Sequence, residues 1–232
     1  MPVHLQREIE NLKKDVLTLG AMVEMSVREA ALAITNRDDE LARSVIDKDI
    51  KIDRMEVEIE EACLKILALH QPVAIDLRFI IAVLKINNDL ERVGDLAVNI
   101  AERALFLASQ APVETGFDFV GMSRKVQAML RKSLDALVQL SVPLAHEVCA
   151  SDDEVDALNR EMYLLVQDAV VTYPGRTEAY VHLLSVSRHF ERIADHATNI
   201  AEDIIYMIEG DIVRHSVEDY ISHDSHIRSD DA

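Results

Sequence analysis

The chain has 232 residues, enough for one large domain or two small ones with a buried core. Only six glycines and five prolines, with 4% aromatics, argue against a many-stranded sandwich, a barrel or a disordered chain, and predict long helices. Acidic residues outnumber basic ones 42 to 24, for a net charge of −18. That charge removes the counterion-release attraction on which nucleic-acid binders depend, and leaves basic surfaces, cationic ligands or metal ions as fitting partners.

The N-terminus reaches Arg7 and Glu8 before any apolar run begins, unlike a secretory leader, and no stretch approaches the length of a membrane span. Cys63 and Cys149 stand outside any CxxC spacing. A cytoplasmic chain without membrane insertion is the expectation. Breakers at Pro72, between Pro112 and Gly121, at Pro143, at Pro174 with Gly175, and at Gly210 mark off six helical segments: 3–36, 38–70, 74–109, 118–141, 143–172 and 176–209. Asn36, Asp38 and Asp39 supply cap chemistry for the second, and Pro143 suits the first turn of the fifth.

Met22, Met25 and Met129 sit at helical positions expected in the core. The third segment repeats Leu90, Val93, Ala97, Ile100 and Ala104 at helical spacing, and the sixth Phe190, Ile193, Ala197, Ile200 and Ile204. His182, His189 and His196 share one side of the sixth segment, where a packed or paired histidine is a simpler expectation than a ligand. Residues 211–232 hold no sustained pattern; they predict a flexible tail with His215, His223 and His226 solvated.

An internal repeat is the most informative feature. Shifted by 100 residues, Glu91-Arg92, Asp95, Ala97 and Asn99 to Glu102 recur as Glu191-Arg192, Asp195, Ala197 and Asn199 to Glu202, eight identities in twelve positions. Upstream, a shift of 103 aligns Leu41, Val45, Asp49 and Asp53 with Leu144, Val148, Asp152 and Asp156. The fold class that follows is all-α, a tandem repeat of two three-helix bundles over 3–109 and 118–209.

On an ideal helix Glu91, Asp95, Asn99 and Glu102 fall within an arc of ~80°, opposite the apolar stripe, and Glu191, Asp195, Asn199 and Glu202 repeat the arrangement. Asp49 with Asp53, and Asp152 with Asp156, place acids four apart on the preceding helix of each unit. Carboxylates so placed repel by a few tenths of a kcal/mol per pair, so a repeated set calls for a compensating cation. Oxygen donors favour hard ions such as Mg, Ca, Mn or iron, and two facing helices suit a multinuclear site of divalent or trivalent metal ions. Arg92 and Arg192 flank the arcs as ion-pair partners. Glu56 and Glu60 extend the first acidic stripe but become Asn159 and Tyr163 in the second unit, and Asn88 becomes Arg188; the second site is therefore expected to hold cations more weakly.

The duplicated pattern from Glu91 to Glu102 and from His189 to Glu202 resembles the PhoU family over about residues 3–209. That family's signature is a doubled three-helix bundle with (D/E)xxxD motifs on two helices per copy; they fall here on Asp49 and Asp53, Glu91 and Asp95, Asp152 and Asp156, Glu191 and Asp195. The resemblance implies a cytoplasmic accessory protein of the phosphate-specific transport system. It implies a negative regulator of phosphate uptake and of the phosphate-starvation (Pho) regulon, with iron or zinc clusters on the acidic motifs. It also implies a homodimer, and partners in the sensor histidine kinase PhoR and the transporter ATPase PstB. No GxxxxGK[ST], GxSxG or HExxH motif occurs, and no histidine has Glu three positions before it, as a ferritin-like di-iron oxidase requires. A metal-free helical adaptor is the remaining alternative.

Overall fold

The computed structural model describes residues 3–113 and 116–210. The expected tail and its three histidines lie outside the described residues. Six helices run α1 (Val3–Asn36), α2 (Asp39–His70), α3 (Ala74–Ser109), α4 (Phe119–Gln139), α5 (Val142–Thr172) and α6 (Thr177–Glu209), with one 3-10 turn at Pro174–Arg176 and no strand among the described residues. The all-α duplicated architecture read from the sequence is the observed one.

Local chemistry sets the boundaries. Asp38 accepts a hydrogen bond from the Leu41 N–H at 2.9 Å, and Asp118 caps α4 by accepting from Gly121 N–H at 2.8 Å. Ser141 accepts from Leu144 N–H at 3.4 Å while Pro143 occupies the first turn of α5. Gly210 ends α6 in the left-handed region at φ +83°, where a side chain would strain the backbone.

The helices form two layers. Helices α2, α3, α6 and α5 lie side by side in that order; α1 packs behind α2 and α3, α4 behind α5 and α6, and α1 touches α4. Along α1, residues Leu5, Ile9, Leu12, Val16, Leu19, Val23, Val27 and Ala30 recur every three or four positions and are all buried, in one continuous core with both halves. Gly20 lets α4 approach, since a β-carbon there would collide with Leu134. Met129 is buried and Met22 packs against the core, but Met25 is 54% exposed, correcting the expectation: it stands about 200° around α1 from buried Val23.

Helices α3 and α6 join the halves, and their ties define an antiparallel seam. Lys85 Nζ meets Asp203 Oδ1 at 2.9 Å, His196 Nδ1 meets Asp89 Oδ1 at 2.7 Å, and the Phe106 ring stacks on His182 at 3.8 Å. Arg78 Nε donates to the Met207 carbonyl at 3.2 Å. The histidines of α6 are thus packed or paired, as the simpler expectation held. Burial, with Arg103, Arg192 and Arg188 nearby, pushes His189 down to about 4, so its ring is neutral at physiological pH.

Asp203 is only 2% exposed, so its carboxylate depends on the Lys85 ammonium. Lys85→Met should lower stability by about 2–3 kcal/mol, reading the solvent-open side of the lysine as softening the loss of a buried pair, and Lys85→Met with Asp203→Leu should recover most of it. Urea unfolding midpoints of the three proteins measure this; an unchanged midpoint in the single variant refutes the role of the pair.

Candidate metal centre

Two acidic groups lie in equivalent places, one between α2 and α3, the other between α5 and α6. Antiparallel packing sets Asp49 and Asp53 of α2 against Asp95 and Glu91 of α3. Asp49 is pushed up to about 6, by burial first and then by the charges of Asp53, Asp95 and Glu91. Glu91 is raised by burial and by Asp95, against the lowering influence of Arg92. Arg92 lies 3.6 Å from Glu91 and 3.5 Å from Asp95, the ion pairing foreseen for it. Glu56 joins the same field: burial, Glu60 and Asp53 raise it, and its backbone carbonyl accepts from Asn87 Nδ2 at 2.9 Å.

The second group repeats this. Asp152 is pushed up to about 6 by burial, then by Asp195, Asp156, Asp153 and Glu191. Glu191 and Asp195 are both raised, burial leading, with Asp156 among the charges acting on each. Here three guanidinium groups offset the acids, since Arg188 and Arg192 lower Glu191, and Arg160 lies 3.6 Å from Asp156. Where α3 and α2 join through Asn87 and Glu56, Ser187 of α6 donates to Asn159 of α5 at 2.8 Å.

Of the other four expected residues, Glu202 still reaches α5, where burial first and then Glu202 push the Cys149 thiol up to about 11 beside Asp152. Asn99 and Glu102 lie one and two turns beyond Asp95 along α3. Asn199 and Glu202 line a separate cleft of about 500 Å³ at the α3–α6 seam, with Lys85, Asn88, Asp89 and Asp203. Their arc is wide enough to straddle two neighbouring helices. A residue the sequence reading did not single out is Gly94: a β-carbon there would lie 3.3 Å from Asp49 Oδ1 and 3.2 Å from Ile52 Cγ2, so glycine allows α2 to seat Asp49 against α3. The signal was visible, since an interior helical glycine costs about 1 kcal/mol and the repeat has Ala194 in its place.

The donor set fits a hard cation in chemistry. Glu91 Oε2 and Asp152 Oδ1 are buried without a hydrogen-bond partner, and every carboxylate shift is caused in part by another carboxylate. Among the described residues, however, no three His, Cys, Asp or Glu side chains converge to metal-holding distance. The carboxylates share a field without forming a closed ligand shell, the arrangement that mutual repulsion favours.

These shifts predict a pH dependence for chelator-treated protein. Asp49 and Asp152 hold protons in the folded state up to about 6 that the unfolded chain releases near its ordinary value, so stability falls as pH rises from about 4 to 6 and stays low above it. Asp49→Asn or Asp152→Asn should raise stability at pH 7.5 by on the order of 1 kcal/mol, a figure reduced for solvent screening of these half-exposed groups, or about 2–4 °C in Tm. Thermal unfolding between pH 5 and 8 tests it; a Tm rising with pH over that range refutes it.

Sequence models of the PhoU domain match residues 16–104 and 119–204. A phosphate-specific transport system accessory protein PhoU homolog from Aquifex aeolicus is 41% identical over 91% of this chain and 96% of its own. One from Clostridium acetobutylicum is 34% identical over 88% of this chain and 94% of its own. The crystal structure of PhoU from Pseudomonas aeruginosa superposes with a TM-score of 0.84 at 34% identity, covering 89% of this chain and 99% of that one. The phosphate transport system regulatory protein PhoU from Streptococcus pneumoniae gives 0.81 at 29% identity, over 90% and 99%. With both repeats matched and relatives of this identity along nearly the whole length, the chain belongs to the PhoU family.

Proposed function

We propose that this chain is a cytoplasmic, metal-binding regulator of phosphate uptake that keeps the Pho regulon repressed, acting by contact with a phosphate transporter ATPase and a sensor histidine kinase. The observation that carries the phosphate role is the kinship, over about nine-tenths of the chain, with proteins named as phosphate transport accessory or regulatory proteins. No helix among the described residues is long and apolar enough to cross a membrane, so contact with a transporter would run through helix surfaces. Apolar side chains stand exposed around the α2–α3 and α5–α6 connections, Leu69, Val73 and Ile75 at one, Val171, Tyr173 and Val181 at the other, and suit such docking or a homodimer. A strain lacking the protein should express phosphate-starvation genes in phosphate-rich medium, as a reporter fusion reads; normal repression refutes the regulatory role.

Metal binding is the second half of the proposal. Asp49, Asp53, Glu91 and Asp95 form the stronger site, with Glu56 and Glu60 adding charge, while three arginines temper Asp152, Asp156, Glu191 and Asp195. Affinity follows the uncompensated carboxylate count, so the first site fills earlier. Asp95→Asn should weaken tight binding by about tenfold or more, and Asp195→Asn should remove only the weaker fraction. Elemental analysis after graded metal titration with iron, zinc, manganese or magnesium decides it; equal loss from either variant refutes the asymmetry. The metal-free adaptor reading draws on the unconverged carboxylates, and metal content unchanged in both variants would favour it.

A further inference from the structure

The repeat pairs each surface of one half with an equivalent in the other, and one such pair differs in charge. Beside the second acidic group, Asn159, Arg160, Tyr163 and Leu164 of α5 and Leu184, Arg188 and Glu191 of α6 line an open cleft of about 590 Å³. The sequence equivalents under the two repeat shifts are Glu56, Val57, Glu60, Glu61, Leu84, Asn88 and Glu91, of which Leu84 and Asn88 line the seam cleft. Four carboxylates without a cation are thus replaced by two guanidinium groups and one carboxylate. In a chain of net charge −18, that leaves two guanidinium groups in the lining, Arg160 beside Asp156 and Arg188 beside Glu191, where the other half has only acids.

We propose that this cleft binds an organic anion, a phosphate or carboxylate group attached to an apolar or planar body. Guanidinium groups offer planar forks that match either oxyanion with paired hydrogen bonds. Arg188 is exposed, and Arg160 keeps most of its side chain in solvent beside its contact with Asp156 at 3.6 Å. Tyr163 is 53% and Leu164 61% exposed, apolar surface that sits unfavourably in water and that replaces two glutamates of the other half. The volume lies within the range of small-molecule sites. Glu191 repels an anion, so the charged end is held by Arg160 and Arg188, and Tyr163 and Leu164 offer apolar surface to the body. The site needs no metal at the neighbouring carboxylates.

The test titrates the full chain with phenyl phosphate, benzoate and inorganic phosphate by isothermal calorimetry at low salt. Phenyl phosphate or benzoate should bind about tenfold or more tightly than inorganic phosphate, and whichever binds better names the oxyanion. Arg160→Val with Arg188→Asn, which installs the first half's residues at exposed positions, should weaken that binding by about tenfold or more with unchanged far-UV circular dichroism. Tyr163→Ala should weaken the organic probes and leave inorganic phosphate as it was. Equal affinity in the double variant, binding of inorganic phosphate as tight as the organic probes, or no binding of either organic probe at about 10 mM overturns the proposal.

Discussion

The antiparallel packing of α3 on α6 is what the rest of the molecule depends on. Each helix gives one flank to its own half and the other to the seam, and the buried Leu90, Val93, Ile100, Phe190, Ile193 and Ile200 each contribute ~1.5–3 kcal/mol by leaving water. That packing offsets the electrostatic cost of holding carboxylates together between α2 and α3 and between α5 and α6. Asp49 and Asp152 show the cost, raised to about 6 because the fold keeps them half-buried among other acids. A helix pair held only by its polar contacts would splay; here the apolar stripe opposite the acids sets the spacing and the carboxylates submit to it.

Much of this was legible before any coordinates. The cap at Asp38, Pro143 in the first turn of α5 and the break at Gly210 are local chemistry that the residues announce, whereas the caps at Asp118 and Ser141 were not singled out. The facing of Asp49 and Asp53 on Glu91 and Asp95 followed from two helices joined by a short turn at Pro72, which forces antiparallel neighbours. What periodicity does not carry is which neighbour occupies each side of a helix. Asn199 and Glu202 share an arc with Glu191, yet both line the cleft at α3, Glu202 while also acting on Cys149 of α5, because the arc reaches from one neighbour to the next. Met25 was misplaced for a related reason, being apolar on the side of α1 where no helix packs.

The two halves also diverge in a directed way. The first keeps Gly94, which brings α2 close behind Asp49, and a nearly unbroken acidic row; the second has Ala194 and three arginines around its acids. Asn87 with Glu56, and Ser187 with Asn159, maintain the same polar junction in both halves with different chemistry. Structure has been held constant at that junction while the charge around it changed, which is how a duplicated scaffold comes to present two unlike surfaces.

The ties across the seam carry a consequence for assembly. Lys85 meets Asp203 and Asp89 meets His196, but the first half's own equivalents of Asp203 and His196 are Arg103 and Leu96. Two first halves docked on each other would set Lys85 against Arg103 and strand Asp89 beside Leu96. Two second halves would set Ser185 against Asp203 and His189 against His196. Each half therefore discriminates against its own kind and in favour of the other, so the covalent linker joins a pair whose match is already written in the contact residues.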